Sequence, residues 1–171
     1  MLKKALFAFL GFLVSGLGLY YLIPSAKLSR DYCPFCDPKV LEAQKIYEDD
    51  TVIALYTHKP VSPGHCLIIP KRHTERFEQM TDHENVSISR AIKKIDQAAM
   101  EVFGTSSYLL LQKNGVEVGQ TVPHVHFHYF PKQDGDDSSL KFLLKMYIAN
   151  LKKPIDSSEM REVCDKMKKA M

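Results

Sequence analysis

Three of the seven histidines of this chain lie close together, as His124, His126 and His128, and an apolar residue follows each of them. Successive side chains of a β-strand point to opposite faces of the sheet. A strand over residues 122–130 therefore places the three imidazoles on one face and the apolar side chains on the other. Because an imidazole is costly to bury without a polar partner, we expect the histidine face to meet water, a metal ion or a substrate.

Two kinds of chemistry fit this histidine face. Imidazole is a common ligand of transition metals, and a neutral imidazole is also a nucleophile near its ordinary pKa. The loop that leads into the strand ends in Gly119, Gln120 and Thr121, and it favours the second kind. Glycine lets backbone amides face an anion and a threonine hydroxyl adds a donor, so a phosphate group fits beside the histidines.

Cys33 and Cys36 form a C-x-x-C pair ahead of the first predicted strand. Such a pair is half of a tetrahedral zinc site, and its spacing is also that of thioredoxin-like redox pairs. The redox interpretation is disfavoured because Asp37 and Pro38 follow at once and no strand–helix–strand pattern surrounds the pair. A zinc site stays open, as do free thiols or a disulfide in an oxidising compartment.

The hydrophobic periodicity of the chain predicts an α+β fold on an antiparallel sheet. Thr81 or Asp82 can cap a long helix that runs through Phe103 and stops at Gly104. We expect strands over residues 44–47, 51–56, 66–69, 108–111 and 122–130, and two further helices near residues 140–151 and 157–169.

The N-terminus carries a long apolar segment. Residues 5–23 are a run of 19 uncharged residues, which is close to the roughly 20 that a helix needs to cross a bilayer. We therefore expect residues 1–24 to form an apolar helix that serves as a transmembrane anchor or signal segment, with a linker over residues 25–32. This predicts a membrane-associated protein whose side of the membrane the sequence does not determine.

The charge balance excludes one class of partner. The 171-residue chain has 23 basic and 20 acidic residues and a formal net charge of +3. Such a mild excess does not predict binding to nucleic acid, which favours strongly basic surfaces. The length allows one domain with a tail.

Two blocks of the sequence resemble the histidine-triad (HIT) family. Residues 114–131, NGVEVGQTVPHVHFHYFP, resemble the family signature His-φ-His-φ-His-φ-φ, in which φ is apolar. Residues 58–73, HKPVSPGHCLIIPKRH, resemble its P-x-x-P-G-H-x-L-x-x-P-K segment. The resemblance covers about residues 31–131, and both blocks stand in the family's order and spacing.

The resemblance implies a HIT-like fold, a five-stranded antiparallel sheet with one long and one short helix, often paired into a homodimer. It implies that His126 attacks the α-phosphorus of a nucleotide and forms a nucleotidyl-histidine that water hydrolyses. Dinucleoside polyphosphates, nucleoside phosphoramidates and related AMP esters are the implied substrates. His128, in place of a glutamine, favours hydrolysis over transfer. His124 completes the catalytic set, and the implied phosphate contacts are Lys113, Asn114, Gly119, Gln120 and Thr121.

The same resemblance implies a structural zinc ion, Zn2+, held by Cys33, Cys36, His73 and His124. The HIT domain then occupies residues 33–135, and residues 136–171 form a C-terminal helical extension. Two alternatives remain beside the nucleotide hydrolase. One is a metal-dependent hydrolase with all three histidines on a catalytic metal. The other is a non-catalytic, membrane-tethered nucleotide-binding protein.

Overall fold

The fold is built on an antiparallel sheet. The structure, a computed structural model, describes residues 31–133, 135 and 139–171. The described part contains a five-stranded sheet with the spatial order β1-β2-β3-β5-β4, in which all neighbours are antiparallel. Its strands are β1 (Lys45–Glu48), β2 (Val52–Tyr56), β3 (Cys66–Pro70), β4 (Tyr108–Gln112) and β5 (Phe127–Pro131). The predicted five-stranded antiparallel sheet is confirmed.

More helices are present than the predicted pair of one long and one short helix. They are α1 (Pro38–Gln44), α2 (Asp82–Phe103), α3 (Ser139–Leu151) and α4 (Ser157–Lys169). The last two were predicted, whereas α1 was not. Helix α1 has only seven residues and buries none of them, so it carries no apolar stripe that a sequence pattern could reveal. Its start is fixed locally, because the Asp37 side chain accepts a hydrogen bond from the backbone of Lys39.

Helix α2 covers one face of the sheet. Thr81 and Glu84 form a reciprocal capping box at its start, and Gly104 ends it with a left-handed φ of 72°. Its buried face, which includes Ile88 and Ile95, joins the main hydrophobic core with alternate residues of β2 and β3. The intervening residues of those strands, Ile53, Leu55, Leu67 and Ile69, form a second cluster on the opposite face together with Phe35 from the N-terminal C-x-x-C segment. The candidate site lies on that opposite face.

The predicted strand over residues 122–130 begins later than expected. Strand β5 starts at Phe127, so His124 and His126 precede it. The reason lies in the backbone of the preceding segment, where the N–H of Val125 donates to the carbonyl of Thr74 at 2.6 Å. This bond lies beyond the end of β3, outside the ladder. The chain therefore bends across the end of the sheet before it joins the central ladder.

The expectation for the N-terminus needs a correction. The predicted apolar helix of residues 1–24 lies outside the described residues, as does most of the predicted linker. Within the part of the chain that the structure describes, no helix is long and apolar enough to cross a membrane. On this finding the predicted membrane localisation is wrong, and the membrane partner predicted with it is not retained.

Candidate active site

A cavity of about 640 Å³ opens on the sheet face opposite α2. Two of the three clustered histidines, His126 and His128, lie in its wall. The loop before them contributes Lys113, Gly119 and Thr121. Apolar side chains line most of the rest: Phe35, Val40, Val61, Leu67, Val122, Phe130, Met146 and Ala149. A cavity of this size with a few convergent polar groups suits a small-molecule ligand.

The partner of the His126 ring assigns its tautomer. Its Nδ1 lies 2.7 Å from the carbonyl oxygen of His124. A carbonyl can only accept, so Nδ1 carries the hydrogen and Nε2 keeps its lone pair. The ring is 4% exposed and packs 5.2 Å from the Phe35 ring. Burial lowers the pKa of His126 below its ordinary value of 6.5, which keeps the imidazole neutral at pH 7.

The ring of His128 is fixed by a second histidine, His65. The backbone N–H of Val61 donates to Nδ1 of His65 at 3.3 Å, so the hydrogen of His65 sits on Nε2. That Nε2 lies 3.0 Å from Nδ1 of His128 and donates to it. The hydrogen of His128 is therefore on its own Nε2, where it is available to a group in the cavity. Burial and the nearby His126 lower the pKa of His128 to about 3.

Three of the five predicted phosphate contacts line the cavity. Gly119 has a left-handed φ of 81°, and a Cβ placed there would lie 3.5 Å from Nζ of Lys113. Because glycine has no side chain, the loop can bring the Lys113 ammonium group close to its own backbone. Thr121 follows two residues later and lines the same cavity. The loop thus supplies the cavity lining with a cationic residue and a hydroxyl residue.

The other two predicted contacts, Asn114 and Gln120, are placed elsewhere. The Asn114 amide accepts from the backbone of Phe77 at 2.9 Å and donates to the Glu78 carboxylate at 2.8 Å. The Gln120 amide is buried and accepts from the backbone of Gly115 at 2.7 Å. It also donates to two backbone carbonyls, those of residues 75 and 122. Both amides therefore hold the loop in shape instead of lining the cavity.

The first histidine, His124, belongs to a different cluster. Its Nε2 lies 2.9 Å from the carbonyl oxygen of Pro70 and donates to it, which leaves the lone pair on Nδ1. This Nδ1 lies 3.3 Å from Sγ of Cys33 and 3.6 Å from Sγ of Cys36. Sγ of Cys36 also lies 3.3 Å from Nδ1 of His73.

The four side chains of this cluster fit a zinc ion. Their ligand atoms all lie within 4.8 Å of one another. A tetrahedral zinc with bonds of about 2.0–2.3 Å holds its ligand atoms roughly 3.3–3.8 Å apart, which matches the contacts of Cys33, Cys36, His73 and His124. A zinc-bound histidine usually donates its other ring N–H to a carbonyl or carboxylate, which orients the ring, and His124 Nε2–H does so to the Pro70 carbonyl. The predicted ligand set is therefore brought together, and it could hold a metal ion.

The three clustered histidines do not converge on one point. The rings of His124, His126 and His128 are held by a cysteine cluster, a backbone carbonyl and His65, respectively. Among the described residues, the group whose ligand atoms converge as a metal site would require is the Cys₂His₂ cluster. The arrangement gives no support to the alternative of a catalytic metal bound by all three histidines.

The comparison with known families agrees with this geometry. The HIT domain profile matches residues 39–135, which is more than half of the chain. The chain belongs to the HIT family. An uncharacterised HIT-like protein of Methanocaldococcus jannaschii is 37% identical over 114 residues, which cover 64% of this chain and 86% of that protein.

A second relative is an enzyme. The asymmetrical bis(5′-nucleosyl)-tetraphosphatase of Schizosaccharomyces pombe is 35% identical over 96 residues, which cover 56% of this chain and 53% of that enzyme. Among solved structures, a zinc-bound histidine triad family protein from Mycobacterium smegmatis is similar with a TM-score of 0.63 and 23% identity. The match covers 82% of this chain and 93% of that one, and it supports the HIT fold.

Several residues of the site have no predicted role. His65 is one of them, although it fixes the tautomer of His128. Phe35 was passed over inside the C-x-x-C pair, yet it packs on His126. Met146 and Ala149 come from the C-terminal extension and were not expected near the cavity. The P-G-H block that contains His65 was the one signal that pointed to any of them.

Proposed function

We propose that this HIT protein is a nucleotide hydrolase that cleaves its substrate at the α-phosphorus, with His126 as the nucleophile. The observation that carries the proposal is the His126 ring, whose Nδ1 is tied to the His124 carbonyl while Nε2 keeps a lone pair in a cavity. Dinucleoside polyphosphates, nucleoside phosphoramidates and related AMP esters are the proposed substrates. The tetraphosphatase among the relatives supports this class.

The first chemical step forms a bond between Nε2 of His126 and the α-phosphorus. The bond from phosphorus to the leaving group breaks, and its electron pair departs with that group. An amine leaving group also takes a proton from solvent water, and the neutral His128 assists by donating a hydrogen bond from its Nε2–H to the departing nitrogen. The positive charge that develops on His126 is stabilised by the carbonyl that accepts its Nδ1–H.

In the second step a water molecule attacks phosphorus and breaks the bond to His126. The proton of that water leaves to solvent, and His126 returns to its neutral form. The net reaction consumes one water and yields a nucleoside monophosphate and the free leaving group. Such covalent catalysis replaces one difficult displacement with two easier ones.

The loop residues stabilise the charge on the phosphate. Lys113 supplies a cation and Thr121 a hydroxyl donor, and both residues line the cavity that contains the histidines. Asn114 and Gln120 contribute indirectly, because their amides keep the loop in the conformation that presents those groups. Positioning and charge stabilisation supply most of the catalysis in phosphoryl transfer.

A structural zinc ion held by Cys33, Cys36, His73 and His124 completes the proposal. When bound, it cross-links the segment around residue 33 to the segment around residue 124. The ring of His124 then stays in place, and so does the carbonyl that orients His126. Zinc in this position acts on the architecture of the site and contacts no reacting atom.

The test combines mass spectrometry with one pair of variants. Wild-type protein is mixed rapidly with adenosine 5′-phosphoramidate or diadenosine tetraphosphate and quenched in base, and the His126 peptide is searched for adenylylation. We expect His126→Ala to lose roughly a thousandfold or more in kcat while its circular dichroism stays unchanged. His83→Ala, at an exposed position of α2, is the matched control and retains activity. Substantial turnover by folded His126→Ala would contradict the proposal.

A further inference from the structure

Helix α3 crosses the cavity on the side of His128, although it lies outside the residues that the HIT profile matches. Near its start, the buried Phe142 packs edge-on against the Phe130 ring, with ring centroids 5.1 Å apart. Beyond its other end, the N–H of Ile155 donates to the carbonyl of His58 at 3.0 Å. The helix is therefore tied both to the end of β5 and to the segment that follows β2.

One face of α3 is turned to the cavity. Phe142, Met146 and Ala149 follow the i, i+4, i+7 spacing of a single helix face. Of these, Met146 and Ala149 line the same cavity as the catalytic histidines, and Ala149 is 3% exposed. Leu143 and Leu144, which lie off this face, are 60% and 56% exposed. The two lining residues thus form a wall, while their neighbours offer matched positions outside it.

The wall stands at one end of the reaction path. In phosphoryl transfer, the attacking and leaving atoms lie on opposite sides of phosphorus. Phe130 extends the cavity beyond His128, since the two rings are stacked with centroids 5.3 Å apart and an interplanar angle of 2°. Phe130 in turn contacts α3 through Phe142. The path from His128, the hydrogen-bond donor to the leaving group, therefore leads along Phe130 to the helix.

We propose that Met146 and Ala149 border the leaving group and determine which leaving groups the enzyme accepts. This inference rests on the proposed nucleotide hydrolysis and specifies its substrate. The transferred nucleotidyl group occupies the remaining apolar part of the cavity, around Phe35, Val40 and Leu67. Met146 and Ala149, which form the wall, are both apolar, so the wall selects apolar or aromatic leaving groups by size.

The test uses two substrates that transfer the same adenylyl group. Adenosine 5′-phosphoramidate releases ammonia, and the adenosine phosphoramidate of an aromatic amine releases a bulky group. Ala149→Leu enlarges the side chain and narrows the space for the leaving group. We expect kcat/KM to fall about tenfold or more for the aromatic substrate and to stay within about twofold for the small one. Met146 is partly exposed, and Met146→Trp narrows the same space. This variant replaces Ala149→Leu in the test if Ala149→Leu does not fold. Leu143→Ala is the control and changes neither value.

Two outcomes separate this inference from the proposed function. Equal losses for both substrates in the narrowed variants would overturn the assignment of α3 to the leaving group. If the wild-type protein turned over neither substrate, the proposed hydrolysis would fail instead. The wall would then be tested by calorimetry in His126→Ala protein, with the two phosphoramidates as probes. If Ala149→Leu or Met146→Trp weakens binding of the aromatic phosphoramidate selectively, the assignment of the wall is supported. If these variants leave the affinities for the two phosphoramidates equal, the assignment is refuted.

Discussion

His65 shows what a motif leaves unsaid at the scale of single residues. It lies 63 residues before His128, yet the two rings are joined by a hydrogen bond. The sequence identified the histidine segment because alternation with apolar residues is visible in the letters. It could not reveal which nitrogen of each ring carries hydrogen, since that depends on partners contributed by distant segments, here the backbone of Val61.

The role of His65 can be tested through the proton requirement of the leaving group. His65→Phe keeps an aromatic ring at this position but removes the donor that fixes His128. We expect kcat for an amine leaving group to fall about 10- to 100-fold, because His128 loses its set tautomer. The loss is smaller for diadenosine tetraphosphate, whose nucleotide leaving group departs as an anion. Steady-state kinetics with both substrates measures the difference, and His83→Ala controls for loss of a surface imidazole.

Equal losses on the two substrates would show that His65 supports the fold alone. A buried histidine that only fills space has no reason to distinguish a protonated from an unprotonated leaving group. The comparison therefore separates positioning from packing.

The loop over residues 113–121 was predicted to bind phosphate, and this role stays a prediction. Its glycines and threonine predicted an anion site, and Gly119, Thr121 and Lys113 do line the cavity. The prediction could not separate these residues from Asn114 and Gln120, because amide side chains bind phosphate and backbone equally well. Whether an amide binds phosphate or backbone depends on which backbone groups the folded loop leaves without a backbone partner.

At the scale of secondary-structure elements, α2 was predictable because all its signals are local. Thr81 and Glu84 bond to each other's backbone within one turn, and Gly104 ends the helix at the position that requires a left-handed φ. Strand β5 was less predictable, since its start depends on a hydrogen bond between Val125 and the distant Thr74. Helix α3 was predicted as a helix, but no local signal revealed what its inner face contacts.

Glu84 is expected to contribute to the stability of α2. Its carboxylate accepts from Nε and Nη2 of Arg72, at 3.0 and 2.8 Å, and from the backbone of Thr81 at 2.8 Å. The side chain is 7% exposed. We expect Glu84→Gln to lower the free energy of unfolding by about 1–2 kcal/mol at pH 7, because the substitution removes charge-assisted bonds. Urea denaturation measures the change.

The pH dependence of this effect has a definite sign. The Arg72 hydrogen bond lowers the pKa of Glu84 below its ordinary value of 4.5. The contribution is therefore complete above pH 4.5 and is lost as the pH falls through the lower pKa of the folded protein. The difference between wild type and Glu84→Gln should shrink in acid. Glu162→Gln, which breaks an exposed pair with Lys166, is the control and should change stability much less. A larger effect of the control would contradict the assignment.

At the scale of the whole molecule, the Cys₂His₂ cluster joins distant parts of the chain. Cys33 and Cys36 precede the sheet, His73 follows β3 and His124 precedes β5. The C-x-x-C spacing indicated half of the site, and the family resemblance supplied the other half. Spacing alone could not do so, because the histidines lie far from the cysteines in sequence and are brought near them by the fold.

We expect the purified protein to contain one zinc per chain. A chelator should lower the melting temperature by about 5 °C or more, since the cross-link is lost, and added zinc should restore it. Cys36→Ser should bind less metal, whereas His126→Ala, two residues from the ligand His124, should bind the full amount. Elemental analysis and calorimetry measure these outcomes. Equal metal content in Cys36→Ser and wild type would refute the ligand assignment.

His124 contacts two parts of the site, one through its ring and one through its backbone carbonyl. This has a practical consequence when batches of the protein are compared. Its ring joins the cysteines, while its carbonyl, a few bonds away, holds the ring of His126. If the four side chains hold zinc as proposed, a batch that loses this metal during purification includes molecules in which the His126 ring is misoriented. Specific activity and the zinc content per chain should therefore rise and fall together from one preparation to the next. Rate constants from different laboratories become comparable once each is divided by its metal occupancy.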